Sequence, residues 1–170
     1  MNKINWKFYP LNIKPPAFAV ELAEIFNSHC AQISSTMHDY VSNDVLAILS
    51  NSLINSGYLV ERGKKKDDKI NVPILYGFNG KTEKSFDADA YHAVNKVVLE
   101  VEAGRGVLNN QFLKDYFQAC MMIDVEYFAV AVRNNYKGTN DFLEVIKFFD
   151  ALYASGRVLT QLKGVMVVGY

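Results

Sequence analysis

Cysteine is scarce in this chain: Cys30 and Cys120 are the only two among 170 residues. Both sit in apolar stretches of helical spacing and read as packed thiols, so no disulfide framework is expected. Proline is scarce as well, and three of the four, Pro10, Pro15 and Pro16, fall near the start. They exclude a continuous helix there and predict a short extended arm over residues 1–16. Net charge is absent, with 18 basic residues against 18 acidic ones. That argues against a histone-like, uniformly basic nucleic-acid binder while leaving room for a local basic face. No apolar run reaches the length of a membrane span, and the opening MNKINWKFYP lacks the basic and apolar regions of a signal peptide, so a cytoplasmic protein without a membrane partner is expected. A glycine-rich phosphate loop, a nucleophile elbow and zinc-ligand spacing are all missing, which removes the usual support for a small-molecule α/β enzyme. Internal repeats, low-complexity segments and linkers are missing too, and a single domain over 1–170 is expected.

What is present is a globular composition, half apolar and 13% aromatic. Phe18, Leu22, Ile25 and Phe26 recur at three- and four-residue spacing and predict a helix over 17–33. Glu21 and Glu24 on it read as solvated, with one of them free to lean toward a site. Ser42-Asn43-Asp44 is a good N-cap cluster for a second helix through Leu53, ended by Gly57. Strands are expected over 58–61 and 71–78, with a charged turn at 63–68 between them and Asn79-Gly80 as the tight turn that follows. A helix is predicted over 108–122 with Leu113, Phe117, Cys120 and Met121 on one apolar face. FAVAV marks a buried strand within 126–132. Thr139 or Asn140 caps a further helix carrying Leu143, Ile146, Phe149 and Leu152, and 164–168 forms a last apolar strand. A meander followed by strand–helix–strand crossovers gives an α/β fold, a mixed sheet with helices on both faces.

The stretch 86–105, FDADAYHAVNKVVLEVEAGR, organises the rest. Strand side chains alternate faces, so Asp87 and Asp89 share one face and Glu100 and Glu102 share one. Paired as a hairpin, the two runs bring up to four carboxylates together. Such groups repel one another and raise each other's pKa, and a hard divalent cation with oxygen ligands relieves the repulsion. Asp87 and Asp89 are poor strand formers in a strand-like run, and Glu100 follows the buried apolar run Val97-Val98-Leu99, where an unpaired charge is costly. Period alone does not choose between Asp87 and Asp89. A solvated hairpin face is the plain alternative.

This order of elements, with Asp89 before Ala90-Tyr91, Glu100-Val101-Glu102 behind a buried strand, and Ala103-Gly104-Arg105 ending it, resembles the PD-(D/E)XK nuclease superfamily. The likeness runs over 43–132 and looks closest to type II restriction endonucleases of GATC-centred sites that carry glutamate or glutamine in place of the motif lysine. It implies a restriction-endonuclease-like fold and a Mg²⁺-dependent DNA endonuclease, with Mn²⁺ able to substitute. Asp89, preferred to Asp87, and Glu100 would bind the ion with the Val101 carbonyl. Glu102 would orient or deprotonate water or join a second ion, and Arg105 would neutralise charge on the phosphate. His92 is a further candidate proton acceptor, read mainly as a turn residue. Lys64, Lys65 and Lys66 with Asn109, Asn110 and Gln111 are the expected contacts to double-stranded DNA, and Arg133 and Lys137 are added phosphate candidates. Reading a palindrome implies a homodimer. The competing expectations are a nuclease of this fold with another duty, such as repair or phage defence, and a catalytically silent DNA-binding or assembly module.

Overall fold

The computed structural model describes residues 4–63, 65–104 and 106–170. Lys64 and Arg105 therefore lie outside the described residues. Its elements follow the chain as β1 (Asn5–Tyr9), α1 (Ala17–Ser28), α2 (Cys30–Ile33), α3 (Ser42–Asn55), β2 (Leu59–Val60), β3 (Ile70–Tyr76), β4 (Thr82–Ala88), β5 (Ala90–His92), β6 (Val97–Glu102), α4 (Gln111–Met121), β7 (Tyr127–Val132), α5 (Asp141–Ser155) and β8 (Gly164–Gly169). Six strands form one sheet in the order β1-β8-β7-β6-β5-β2, and β3 pairs with β4 in a separate two-stranded ribbon. The three central strands β6, β7 and β8 run parallel, and β1, β5 and β2 join antiparallel.

The central strands are apolar on both faces because helices cover both. Leu99, Val101, Ala129, Ala131 and Val168 pack with Phe18, Leu22, Leu49 and Leu53 of α1 and α3. Val98, Phe128, Val130 and Val167 pack with Phe112, Tyr116 and Phe149 of α4 and α5. Along β6 the second face therefore reads Val98, Glu100, Glu102. The strand leaves the core of α4 and α5 and turns acidic where that cover ends.

Several sequence expectations are corrected. The opening arm is in part a true edge strand: Asn5–Tyr9 pairs with β8 over its full length. The first long helix breaks at His29 into α1 and α2. Ser42 does not cap α3, whose N-cap is Val41 without a side-chain bond; the Ser42 hydroxyl instead accepts the Ala103 N–H at 3.1 Å and ties α3 to the end of β6. The helix expected from residue 108 starts at Gln111, after Asn110 in the left-handed region. Its buried face is Phe112, Asp115, Tyr116 and Ala119, while Phe117 and Met121 are exposed. Leu143 of α5 is also exposed. The two cysteines are free thiols. No helix among the described residues is long and apolar enough to cross a membrane.

Asn140 caps α5, its Oδ1 accepting the Leu143 N–H at 2.9 Å. Asn140→Ala is expected to lower stability by about 1 kcal/mol, read as the urea midpoint, because it leaves a helix-end donor to water alone.

Candidate active site

Asp89 stands at a break in the chain. β4 ends at Ala88, β5 begins at Ala90, and Asp89 is the bend between them. Upstream of it the chain leaves the main sheet to form the ribbon. β5 pairs with β6 only through Ala90–His92, so the Val101 N–H lies beyond the end of that pairing. The Asp89 carboxylate takes its place, Oδ2 accepting from Val101 N at 2.8 Å. On the other side the Asp89 carbonyl accepts from Glu61 N at 2.8 Å. Asp89 is thus fixed by backbone and side chain together. The bend also breaks the alternation expected of Asp87 and Asp89. Asp87 belongs to the ribbon, exposed and accepting from Asn71 Nδ2 at 3.1 Å.

Ala90 opposes Leu99, so the chain preceding it runs toward Glu100, and both acids line one open cavity of about 410 Å³. Among the described residues, six carboxyl side chains line that cavity: Glu61, Asp87, Asp89, Glu100, Glu102 and Asp115. Against them stand two described lysines, Lys69 and Lys114. Val101 reaches the cavity through its backbone, since its side chain is buried against α1 and α3. Lys69 donates to Glu61 Oε1 at 2.7 Å, and that bond, with the nearby charges of Asp87 and Asp89, raises its pKa. Asp115 is 5% exposed; its Oδ1 accepts from Gln111 Nε2 at 2.9 Å and its Oδ2 is buried without a partner.

The electrostatics follow from this crowding. Burial pushes the Asp89 carboxyl up to about 6, against the opposing pull of its bond from Val101, and the charges of Glu61 and Asp115 add to the rise. Burial, then the charges of Asp89, Asp115, Glu102 and Glu61, holds Glu100 well above the carboxylate range. Glu102 is pushed to about 8 by burial and by the Asp115 carboxyl within hydrogen-bond reach. A cavity so acidic repels a polyanion unless cations occupy it.

All the acidic donors are oxygens, and the lining holds neither histidine nor cysteine. That set fits a hard divalent ion such as Mg²⁺ and not a soft one. Among the described residues no three His, Cys, Asp or Glu side chains stand close enough to form a ready metal cluster. Mg²⁺ does not need one, because it is held by one or two carboxylates and keeps several waters.

Other predicted residues lie elsewhere. Lys65, Lys66, Asn109 and Asn110 are exposed and outside the cavity; only Gln111 of that group lines it, engaged by Asp115. Arg133 is buried, donating to Asp39 Oδ1 at 2.5 Å and to the Tyr40 carbonyl, so it is a structural cation and not an open phosphate contact. Lys137 lies over the Tyr136 ring, away from the acids. His92 is buried, its Nδ1 accepting from Asn95 N and its Nε2 paired with the Ser56 carbonyl, and does not face the site. Glu24 lines a separate cavity beside Trp6. Sequence reasoning missed Glu61, Lys69, Asp115 and Lys114. Asp115 carried one signal, a carboxylate at the helical spacing of Phe112, Tyr116 and Ala119. Gly104, where the chain leaves β6, has φ +95°, and a Cβ there would stand 2.5 Å from the Tyr136 ring; glycine is required for the strand to end at that point.

No protein-family model matches the chain. No relative is found among curated proteins. Solved structures do match. The crystal structure of free BglII aligns with 98% of this chain and 78% of that one, at TM-score 0.51 and 12% identity. The restriction endonuclease BglII complexed with a DNA 16-mer aligns with 98% of this chain and 77% of that one, at TM-score 0.56 and 13% identity. At such identities the likeness is one of fold. The chain has a restriction-endonuclease-like fold, a mixed sheet with helices on both faces.

Proposed function

We propose that this chain, as one unit over 1–170, is a divalent-metal-dependent DNA endonuclease of the type II restriction kind, with glutamate at the position where the PD-(D/E)XK motif has lysine. The observation that carries the reading is the meeting of Asp89, Glu100 and Glu102 in one open cavity whose acids far outnumber its lysines. The fold shared with BglII, a protein seen in complex with DNA, supports the choice of DNA as substrate.

Asp89 and Glu100, with the Val101 backbone, hold the ion. Mg²⁺, or Mn²⁺ in its place, supplies Lewis-acid polarisation of a phosphodiester and an acidified water when bound. Asp89 is kept in position by Val101 N–H and the Glu61 backbone, so its second oxygen is free for the cation. Glu102 is the group that takes a proton from the attacking water. The P–O3′ bond breaks as the water oxygen bonds to phosphorus, and the leaving alkoxide is protonated by solvent. Lys69, steadied by Glu61, and Lys114 line the same cavity and are the cations that would neutralise phosphate charge, a role first sought at Lys64–Lys66 and Arg105. An adjoining groove along α3, lined by Asn43, Ser50, Asn51 and Arg62, shares Glu61 with the cavity. Cutting both strands of a palindrome symmetrically takes two copies of the chain related by a twofold axis.

Plasmid DNA is expected to be nicked and linearised in Mg²⁺ or Mn²⁺ and left intact with a chelator. Cleavage that persists in the chelator overturns the metal mechanism. Absence of both cleavage and metal binding favours a silent DNA-binding module. Lys114→Ala is expected to weaken duplex binding in Ca²⁺ a few-fold and to lower the salt slope by about 1, as one phosphate contact is lost.

A further inference from the structure

We propose that the tip of the β3–β4 ribbon is a duplex wedge: Phe78 enters a groove of the DNA held at the acidic cavity and inserts at a base step. The inference rests on the nuclease reading above and names a contact that lies outside that cavity.

Phe78 is 94% exposed, and Leu75 and Tyr76 beside it are exposed as well. A single apolar side chain in solvent needs no explanation, but three of them at the end of one projection do. The backbone beneath them is fixed. Gly77 N–H donates to the Lys81 carbonyl at 2.9 Å, and Gly80 N–H donates to the Gly77 carbonyl at 3.2 Å. Asn79 has φ 57°, in the left-handed region that asparagine enters more readily than most residues. Phe78 is thus presented by a closed turn and not by a slack loop, so little ordering cost remains when a partner buries it.

Where that partner lies follows from the root of the ribbon. Ser85, Phe86, Asp87 and Ala88 form one wall of the acidic cavity. From Asp87 the strand runs out to Thr82, a span of about 17 Å at the usual strand rise, which is the length of about five base pairs. A duplex whose phosphate enters the cavity therefore passes within reach of the tip. A two-stranded ribbon is narrow enough to enter a DNA groove, and apolar side chains such as phenylalanine can unstack the base step they meet.

Charge selects nucleic acid over a protein partner. Lys81 and Lys84 follow Phe78 in sequence, exposed and without an ion pair among the described residues. Glu83 is the one acid between residues 75 and 84. An aromatic ring beside free ammonium groups matches base faces and phosphates together. The lysines also place positive charge outside a cavity that is itself acidic, where a polyanion must be held.

The test uses the full chain and linear plasmid DNA of mixed sequence in Ca²⁺. Phe78→Trp puts a reporter at the tip. The chain's own indole, Trp6, is partly buried on the edge strand β1 and is subtracted with the wild type. The new indole is expected to lose most of its emission and its accessibility to acrylamide when DNA is added. Phe78→Ala is expected to bind the same DNA about tenfold more weakly with its salt slope unchanged, because a stacked ring is lost and no phosphate contact. Phe78→Trp is expected to keep the wild-type affinity, and Lys84→Ala to lower the salt slope by about 1. An indole that stays bright and accessible while the chain is bound to DNA overturns the wedge alone. An indole shielded before DNA is added, in proportion to protein concentration, gives the tip to a second copy and overturns it too. A wild type that binds no DNA in Ca²⁺ overturns the nuclease reading itself, so the two failures are distinct.

Discussion

Glu100→Gln is expected to lower plasmid cleavage in Mg²⁺ by on the order of 10³-fold while making the metal-free protein more stable at pH 8. The first half follows from the loss of a charged ligand at the reacting phosphate, a loss of about 4 kcal/mol in transition-state stabilisation. The second half follows from the surroundings. Asp89, Asp115, Glu102 and Glu61 all oppose ionisation of Glu100, and burial opposes it most. The amide has the same shape and no charge to hold, so the variant is relieved of the cost of keeping an acid in this buried, acidic surrounding. The two readouts move in opposite directions, as expected where a site stores strain for function. Supercoiled-plasmid kinetics and urea unfolding of one preparation decide it. Unchanged cleavage would remove Glu100 from the chemistry, and a clear loss of stability would make it a structural residue.

Without divalent ions, stability should fall as the pH is raised from about 5 to about 8, and Mg²⁺ should abolish most of that fall. Asp89 and Glu102 have folded-state values near 6 and 8, above the ordinary 3.8 and 4.5 that apply when the chain is unfolded. Between those limits the folded chain binds more protons than the unfolded one. The slope of unfolding free energy with pH is therefore negative there. Stability is highest below the unfolded values and is lost as pH rises through 6 and then 8. This is the reverse of the usual acid denaturation, in which paired carboxylates lose stability as the pH drops. The fall should be on the order of 2–3 kcal/mol once screening is allowed for, or roughly 5–10 °C in Tm for a chain of this size. A cation that binds only the folded form at about 100 times its Kd restores about 2.7 kcal/mol. Thermal melts at several pH values, with chelator and with Mg²⁺, test this. A metal-free Tm that climbs from pH 5 to pH 8 would mean that the acids are already paired with cations of the protein.

The acidic strand β6 was legible because its code is local. Val97-Val98-Leu99 announces burial and Glu100-Val101-Glu102 violates it, and period 2 then places both glutamates on one face. Asp89 was legible as the preferred candidate, though strand alternation alone did not choose it over Asp87. What separates it from Asp87 is the departure of the ribbon from the sheet, a tertiary event that leaves Val101 N–H to be satisfied by a side chain. The face of α4 was misread for a related reason. QFLKDYFQACMM carries two apolar stripes, and only the position of the helix over β6 and β7 decides that Phe112, Tyr116 and Ala119 go inward and Phe117 and Met121 outward. With the wrong stripe inward, Asp115 looks like an ordinary solvated residue. Arg133 failed in the opposite sense. A basic residue after FAVAV reads as surface charge, yet it is buried and engaged by Asp39, the Tyr40 carbonyl and the Tyr136 ring.

The ribbon of β3 and β4 supplies Ser85, Phe86, Asp87 and Ala88 to one wall of the cavity, yet it joins the main sheet through the bend at Asp89 and carries its tip, Phe78-Asn79-Gly80, out into solvent. The glutamates ride on a strand clamped between two helical layers, while the ribbon wall is held by Val72 and Ala88 in the core and by the Pro73 carbonyl, which accepts from Ile123 N at 2.8 Å. Lengthening or trimming the tip should retune which duplexes are held and leave the cutting step itself untouched.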